Sequence, residues 1–177
     1  MCLADCYRKP FLTVFSGSTR SSITFSSLLL TPFTLRAKSL ISFNLSPNVK
    51  LYVANTEKGQ IVRIAINPDG SAGTPEVLVA DPATLVGVDG LALDVHGNIF
   101  AVNVAANLLL QIALDGAPPV VTILATADDG LDGPASLAFG TGKGERQSLF
   151  ITNFALLSGQ NPALLKVDAG VPGQPLP

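Results

Sequence analysis

The chain has 177 residues, of which 47% are hydrophobic and 14% charged, and it contains no Trp. No apolar run approaches the roughly 18 to 20 residues of a membrane-spanning helix. Gly and Pro scattered between short apolar runs read instead as an all-β chain rich in turns. The net charge of −2 hides an asymmetry: Cys6 to Thr56 holds six basic side chains and no acidic one, whereas from Glu57 onward twelve acidic residues stand against five basic. An acidic body without a basic stripe argues against a nucleic-acid partner.

Residues 1–40 are Ser-rich, basic and free of acid after Asp5. This composition resembles an organelle transit segment. An artefactual or unstructured extension, or a loose strand or two (Phe11–Phe15, Ile23–Leu30, Phe33–Leu40), are the alternatives. The stretch Leu28-Leu29-Leu30, broken at once by Thr31-Pro32, is a poor secretory signal. The expected compartment is therefore the cytoplasm or an organelle rather than the exterior. Cys2 and Cys6 are the only cysteines and both fall in this segment, so the body has neither a disulfide framework nor a thiolate metal site.

Beyond residue 40 the sequence repeats. Leu51-Tyr52-Val53-Ala54-Asn55 recurs as Ile99-Phe100-Ala101-Val102-Asn103 and again as Leu149-Phe150-Ile151-Thr152-Asn153. Ser42–Asn55 aligns without a gap on Gly90–Asn103, and Asp132–Phe139 opens a third copy that carries a four-residue insertion around Gly142–Glu145. The middle copy reads as four strands, Leu91–Asp94, Asn98–Asn103, Leu108–Leu114 and Val120–Ala125. Asp94–Asn98 forms a tight turn, and Asp115-Gly116 suits a two-residue hairpin. GTGKGE at 140–145 lacks the spacing of a phosphate-binding loop and reads as a hairpin.

A period near 48 residues with four short apolar strands per unit signifies a propeller blade. Both faces of a blade pack on neighbours, which explains near-continuous apolar strands such as LLLQIAL. The expected architecture is all-β: an incomplete β-propeller of about three four-stranded blades (41–80, 89–126 and 132–168), the last lacking its outer strand, followed by a Gly/Pro-rich tail at 171–177. Three blades do not close a ring, so the chain is expected to be a fragment or to self-associate through its open flanks.

Within a blade, the start of strand one and the end of strand two share a rim near the central channel. That gathers Asp89, Asp132, Asn55, Asn103 and Asn153. Their oxygens are hard ligands suited to a divalent cation. The alternative is that each shapes a turn by bonding to nearby backbone. Asp89, Asp132, Asn103 and Asn153 are the candidate metal ligands. His96, the only histidine, falls in a turn on the opposite rim and reads as a solvated residue; with no histidine partner, nucleophilic triad chemistry is excluded.

The segments VDGLALDVHGNIFAVN, LYVANTEKGQIVRI and LDGPASLAFG…LFITNFAL resemble the blade motifs of the gluconolactonase, senescence-marker and luciferin-regenerating-enzyme group of six-bladed propellers. The resemblance covers about residues 41 to 177. It implies a divalent cation at the top of the channel, Ca²⁺ first with Zn²⁺ or Mg²⁺ as alternatives. It also implies hydrolysis of a small lactone or ester, with Asp89 as metal ligand and catalytic carboxylate. The preceding blade's ligand, usually an Asn before Gly, would fall 48 residues before Asp89, at Ile41, which cannot ligate a cation. A truncated, impaired hydrolase is therefore the first reading. A non-catalytic scaffold propeller of the NHL type is the second, and a product without independent function the third.

Overall fold

In a computed structural model the described residues are 39–40, 50–155, 158–160 and 162–175. The expectations for residues 1–38, Cys2, Cys6 and Ile41 lie outside them. The described part forms three antiparallel sheets. The first is β1 (Ser39–Leu40), β2 (Lys50–Asn55), β3 (Gln60–Ala65) and β4 (Glu76–Ala80). A helical turn, α1 (Pro82–Leu85), leads to β5 (Val88–Leu93), β6 (Ile99–Asn103), β7 (Leu108–Ala113) and β8 (Val120–Ala125) of the second. A 3-10 turn at Ala127–Asp129 leads to β9 (Pro134–Phe139), β10 (Ser148–Asn153) and β11 (Ala163–Asp168), and this third sheet has three strands. Each sheet is a meander in chain order, as expected of propeller blades.

The strands alternate which neighbouring sheet they face. From the second sheet, Leu91, Ile99, Ala101, Leu110 and Ile112 pack with Ala54 and Ile61 of the first. Ala92, Phe100, Val102 and Leu109 pack with Leu137, Leu149 and Ile151 of the third. All five residues of β6 are buried, which is why the apolar run in the sequence is continuous. Phe100 is 1% exposed and meets the edge of Phe139 at 5.3 Å between ring centroids. On the far side of the first sheet, Leu51, Val53, Val62 and Ile64 form a further buried cluster.

The pairing sets the equivalences between copies. Val88 lies opposite Asn103 and Leu91 opposite Ala101; Pro134 lies opposite Asn153 and Leu137 opposite Ile151. Leu91 therefore matches Leu137, Gly90 matches Ser136, and Asp89 matches Ala135 rather than Asp132. In the first sheet Ser39 lies opposite Ala54 and Leu40 opposite Val53. Ser39, and not Ser42, thus takes Gly90's place, and the ungapped alignment of the first two copies fails at the inner strand. The connection from β7 to β8 is longer than expected, because Ala113 and Val120 are the last pair and residues 114–119 join them.

After β11 the chain crosses back to the second sheet as a strap. Ala169 N–H donates to the Gln147 carbonyl at 2.8 Å and Gly173 N–H to that of Arg146 at 2.9 Å. Val95 N–H donates to the Pro172 carbonyl at 3.0 Å and Gln174 N–H to that of Leu93 at 2.9 Å. Gly173 is required by its close approach: a Cβ there would overlap Phe139. Gly173→Val is therefore expected to lift the strap. Hydrogen exchange at the Val95 and Gln174 amides reads this directly, with protection at both lost while the β6 amides keep theirs.

Candidate functional site

The rim that carries Asp89 is built from the two inter-sheet connectors and the strand-two ends that clamp them. Asp81 caps α1, its carboxylate accepting from Ala83 N–H at 3.1 Å and from the Thr84 hydroxyl, and Pro82 opens the turn. Thr126 and Asp129 form a capping box around the 3-10 turn, which Gly130 ends in a left-handed conformation. Both connectors then drop into the inner strands β5 and β9.

The strand-ending asparagines hold these connectors. Asn103 is 1% exposed. Its amide nitrogen donates to the carbonyls of Thr84 and Val86, both at 2.8 Å, and its oxygen accepts from Ala105 N–H at 3.0 Å and Ala106 N–H at 2.9 Å. All four of its hydrogen-bonding positions are thus taken by backbone. Asn153, 5% exposed, repeats the pattern: its nitrogen donates to the Gly130 carbonyl at 2.8 Å and its oxygen accepts from Asp132 N–H at 3.2 Å. Asn55 is also buried and its oxygen accepts from Lys58 N–H at 3.3 Å. Of the two sequence readings, the turn-shaping one describes Asn103 fully.

Loops reach across from sheet to sheet on the same rim. Thr56 Oγ1 donates to the Val88 carbonyl at 2.8 Å, and Gly133 N–H donates to Asn107 Oδ1 at 2.7 Å. The Asp132 carboxylate accepts from the Ser158 hydroxyl. Asp132 and Asn153 are therefore brought together, but through the Asp132 backbone N–H.

Asp89 differs from the asparagines in its setting. It is half-buried and sits with Gly90 in the irregularity between Val88 and Leu91, where β5 bulges against β6. A bulge re-aims a side chain and is common beside binding sites. Asp89 is already engaged within the fold. Gly90 has a packing reason of its own: a Cβ there would lie 2.8 Å from Ser136 Cα, 2.9 Å from Leu137 Cδ2 and 3.0 Å from Val102 Cγ2. The Asp-Gly pair thus joins a rim carboxylate to the point where the second and third sheets touch.

As a ligand set for a cation these groups are incomplete. Asn103's oxygen already accepts two N–H groups, Asp132's carboxylate is bonded to Ser158, and Ala135 stands at Asp89's register position in the third sheet. Among the described residues no three His, Cys, Asp or Glu side chains gather as a metal cluster. Asp89 is engaged within the fold too, so having a partner does not separate it from Asp132; its place in the bulge of β5 does.

The opposite rim carries the turn expected at Asp94–Asn98 and, beside it, a cleft that the sequence pattern does not announce. Asp94 is 1% exposed, and its carboxylate accepts from His96 N–H at 2.8 Å, Asn98 N–H at 2.9 Å and Asn98 Nδ2 at 2.9 Å. It is a turn-forming residue, with Gly97 at φ 85° completing the turn. His96 is exposed, as a solvated turn residue should be. Beside this turn a cleft of about 530 Å³ opens between Leu91–Leu93 of β5 and Leu137–Phe139 of β9, floored by Gly173–Pro175 of the strap. In the sequence the strap that floors it reads only as a Gly/Pro-rich tail.

Sheets of four, four and three antiparallel strands, packed face to face with their first strands innermost, define part of a β-propeller. The solved structure of luciferin-regenerating enzyme superposes on this chain with a TM-score of 0.60 at 18% identity, over 78% of this chain and 47% of that one. Virginiamycin B lyase from Staphylococcus aureus aligns at a TM-score of 0.47 and 15% identity, over 73% of this chain and 41% of that one. The chain thus spans about half the length of these structures, and the likeness to the first shows the propeller fold. No protein-family model matches the sequence, and no curated protein matches it. Among the described residues no helix is long and apolar enough to cross a membrane.

Proposed function

We propose that the chain forms one wall of a propeller hydrolase acting on a small lactone or ester, with Asp89 as the carboxylate it contributes at the rim of the channel. The observation that carries this reading is Asp89's position in the bulge of the innermost strand of the middle sheet. The fold likeness to luciferin-regenerating enzyme and the blade motifs support it. A divalent cation there, Ca²⁺ before Zn²⁺ or Mg²⁺, needs oxygen ligands beyond those described.

The chain by itself is therefore expected to bind Ca²⁺ only weakly, with a Kd of about 1 mM or above. Amide shifts in an NMR titration with CaCl2 should centre on Asp89 and Gly90 and vanish in Asp89→Asn. Shifts centred elsewhere, or unchanged in the variant, would remove Asp89 from the site. In that case the second reading, a non-catalytic scaffold propeller, gains. It is favoured by Ala135 standing where a second carboxylate would be needed and by the full backbone engagement of Asn103.

A further inference from the structure

The chain carries five Asp-Gly pairs, beginning at Asp69, Asp89, Asp115, Asp129 and Asp132. In such a pair the glycine nitrogen can close on the aspartate side chain, because no Cβ crowds its approach. Closure needs a carboxyl without other bonds and an N–H that no acceptor holds. Four of the pairs fail these conditions. The Asp69 carboxylate accepts from Ser71 N–H at 2.9 Å and from the Ser71 hydroxyl at 2.6 Å, which holds it below the usual carboxylate range, and Gly70 N–H donates to the Asn67 carbonyl at 2.9 Å. The Asp129 carboxylate accepts from Thr126 N–H at 2.9 Å, and Gly130 N–H donates to the Ala127 carbonyl at 3.0 Å. The Asp132 carboxylate accepts from the Ser158 hydroxyl, and Gly133 N–H is held by Asn107. Asp89 is engaged within the fold, and Gly90 is buried against Ser136 Cα. The fifth pair differs. Asp115 and Gly116 are exposed in the link 114–119 between β7 and β8. Among the described residues neither the Asp115 carboxylate nor the Gly116 N–H has a hydrogen-bond partner.

We infer that Asp115-Gly116 is a site of spontaneous backbone isomerisation, and that the fold confines the reaction to this pair. The Gly116 nitrogen attacks Asp115 Cγ. The N–Cγ bond forms, the nitrogen gives up its proton, and the carboxyl's hydroxyl departs as water, leaving a cyclic succinimide. Water then adds to either ring carbonyl. Opening the N–Cγ bond restores aspartate. Opening the bond between the Gly116 nitrogen and the Asp115 main-chain carbonyl gives isoaspartate, with the chain now running through the side chain. A water leaves and a water returns, so the step needs no oxidant and no other reactant. The change adds a methylene to the backbone and moves the carboxylate. It falls outside the last pair of β7 and β8, Ala113 with Val120, so the sheets keep their register. The link lies on the rim away from Asp89, and the inference is independent of the proposed hydrolase.

Incubation of the full chain in mildly acidic buffer made with heavy-oxygen water, followed by peptide mapping with electron-transfer fragmentation, tests it. The fragments distinguish isoaspartate from aspartate, and a heavy oxygen marks each passage through the ring. The expected result is isoaspartate and label at Asp115, with each of the other four pairs slower by about tenfold or more, the effect of the hydrogen bonds they must first break. In guanidinium chloride the five rates should converge. Gly116→Val, which places a branched side chain beside the attacking nitrogen, should suppress the reaction at Asp115 with the β-sheet circular dichroism unchanged. Isoaspartate arising first at Asp69, Asp89, Asp129 or Asp132 in the folded chain would overturn the inference. So would equal rates at all five pairs in the folded chain, or an Asp115 that isomerises in guanidinium chloride and not without it.

Discussion

Gly90→Ala is expected to destabilise the chain by about 2–3 kcal/mol, the upper part of the range for overpacking a filled interior. The added methyl would stand 2.8 Å from the Ser136 Cα. That neighbour is backbone of an inner strand and cannot rotate away. Relief requires β9 to shift, and with it Leu137, whose side chain fills the core between the second and third sheets. Urea unfolding should show the loss as a lower midpoint with an unchanged slope. The effect belongs to packing, since the added methyl meets the backbone of β9 and not a rim side chain.

Asn103→Ala is expected to cost about 3 kcal/mol, since removal of one partner strands the buried groups it served at about 1–3 kcal/mol each and water reaches some of them. The carbonyls of Thr84 and Val86 and the N–H groups of Ala105 and Ala106 all lose their bond at once. The damage spreads further, because the connector so released carries Leu85, which is fully buried between the first two sheets. Asn153→Ala should act in the same direction and less strongly. It holds one carbonyl and one N–H, and its sheet has one open face.

The architecture was readable because three signals agreed: a period near 48 residues, apolar cores long enough for one strand each, and Gly or Asp at the turns. The strands of the middle copy fall within a few residues of where the pattern puts them, and β8 spans Val120–Ala125 as read. The inner strands were less legible. Their register is fixed by hydrogen bonding to strand two across links of differing length. The same four-residue insertion that was visible at Gly142–Glu145 moves Ala135, not Asp132, into Asp89's place. A shared Asp-Gly dipeptide concealed this.

The place of the candidate residues on the rim was legible in the sequence; their hydrogen-bond partners were not. Asn103, Asn153, Asp89 and Asp132 do lie on the connector rim. A sequence shows an amide oxygen at a strand end; it does not show that two backbone N–H groups already occupy it. The strap was missed for a related reason. Its bonds run between backbone groups of residues far apart in the chain, and Gly173 records only that something comes close.

As a clamp on the connector, Asn103 is expected to act without any metal. Urea unfolding of the parent chain and of Asn103→Ala, each in excess CaCl2 and in excess EDTA, tests this. A clamp predicts the same stability loss in both buffers. A loss present with Ca²⁺ and absent with EDTA would contradict it and return Asn103 to a metal site.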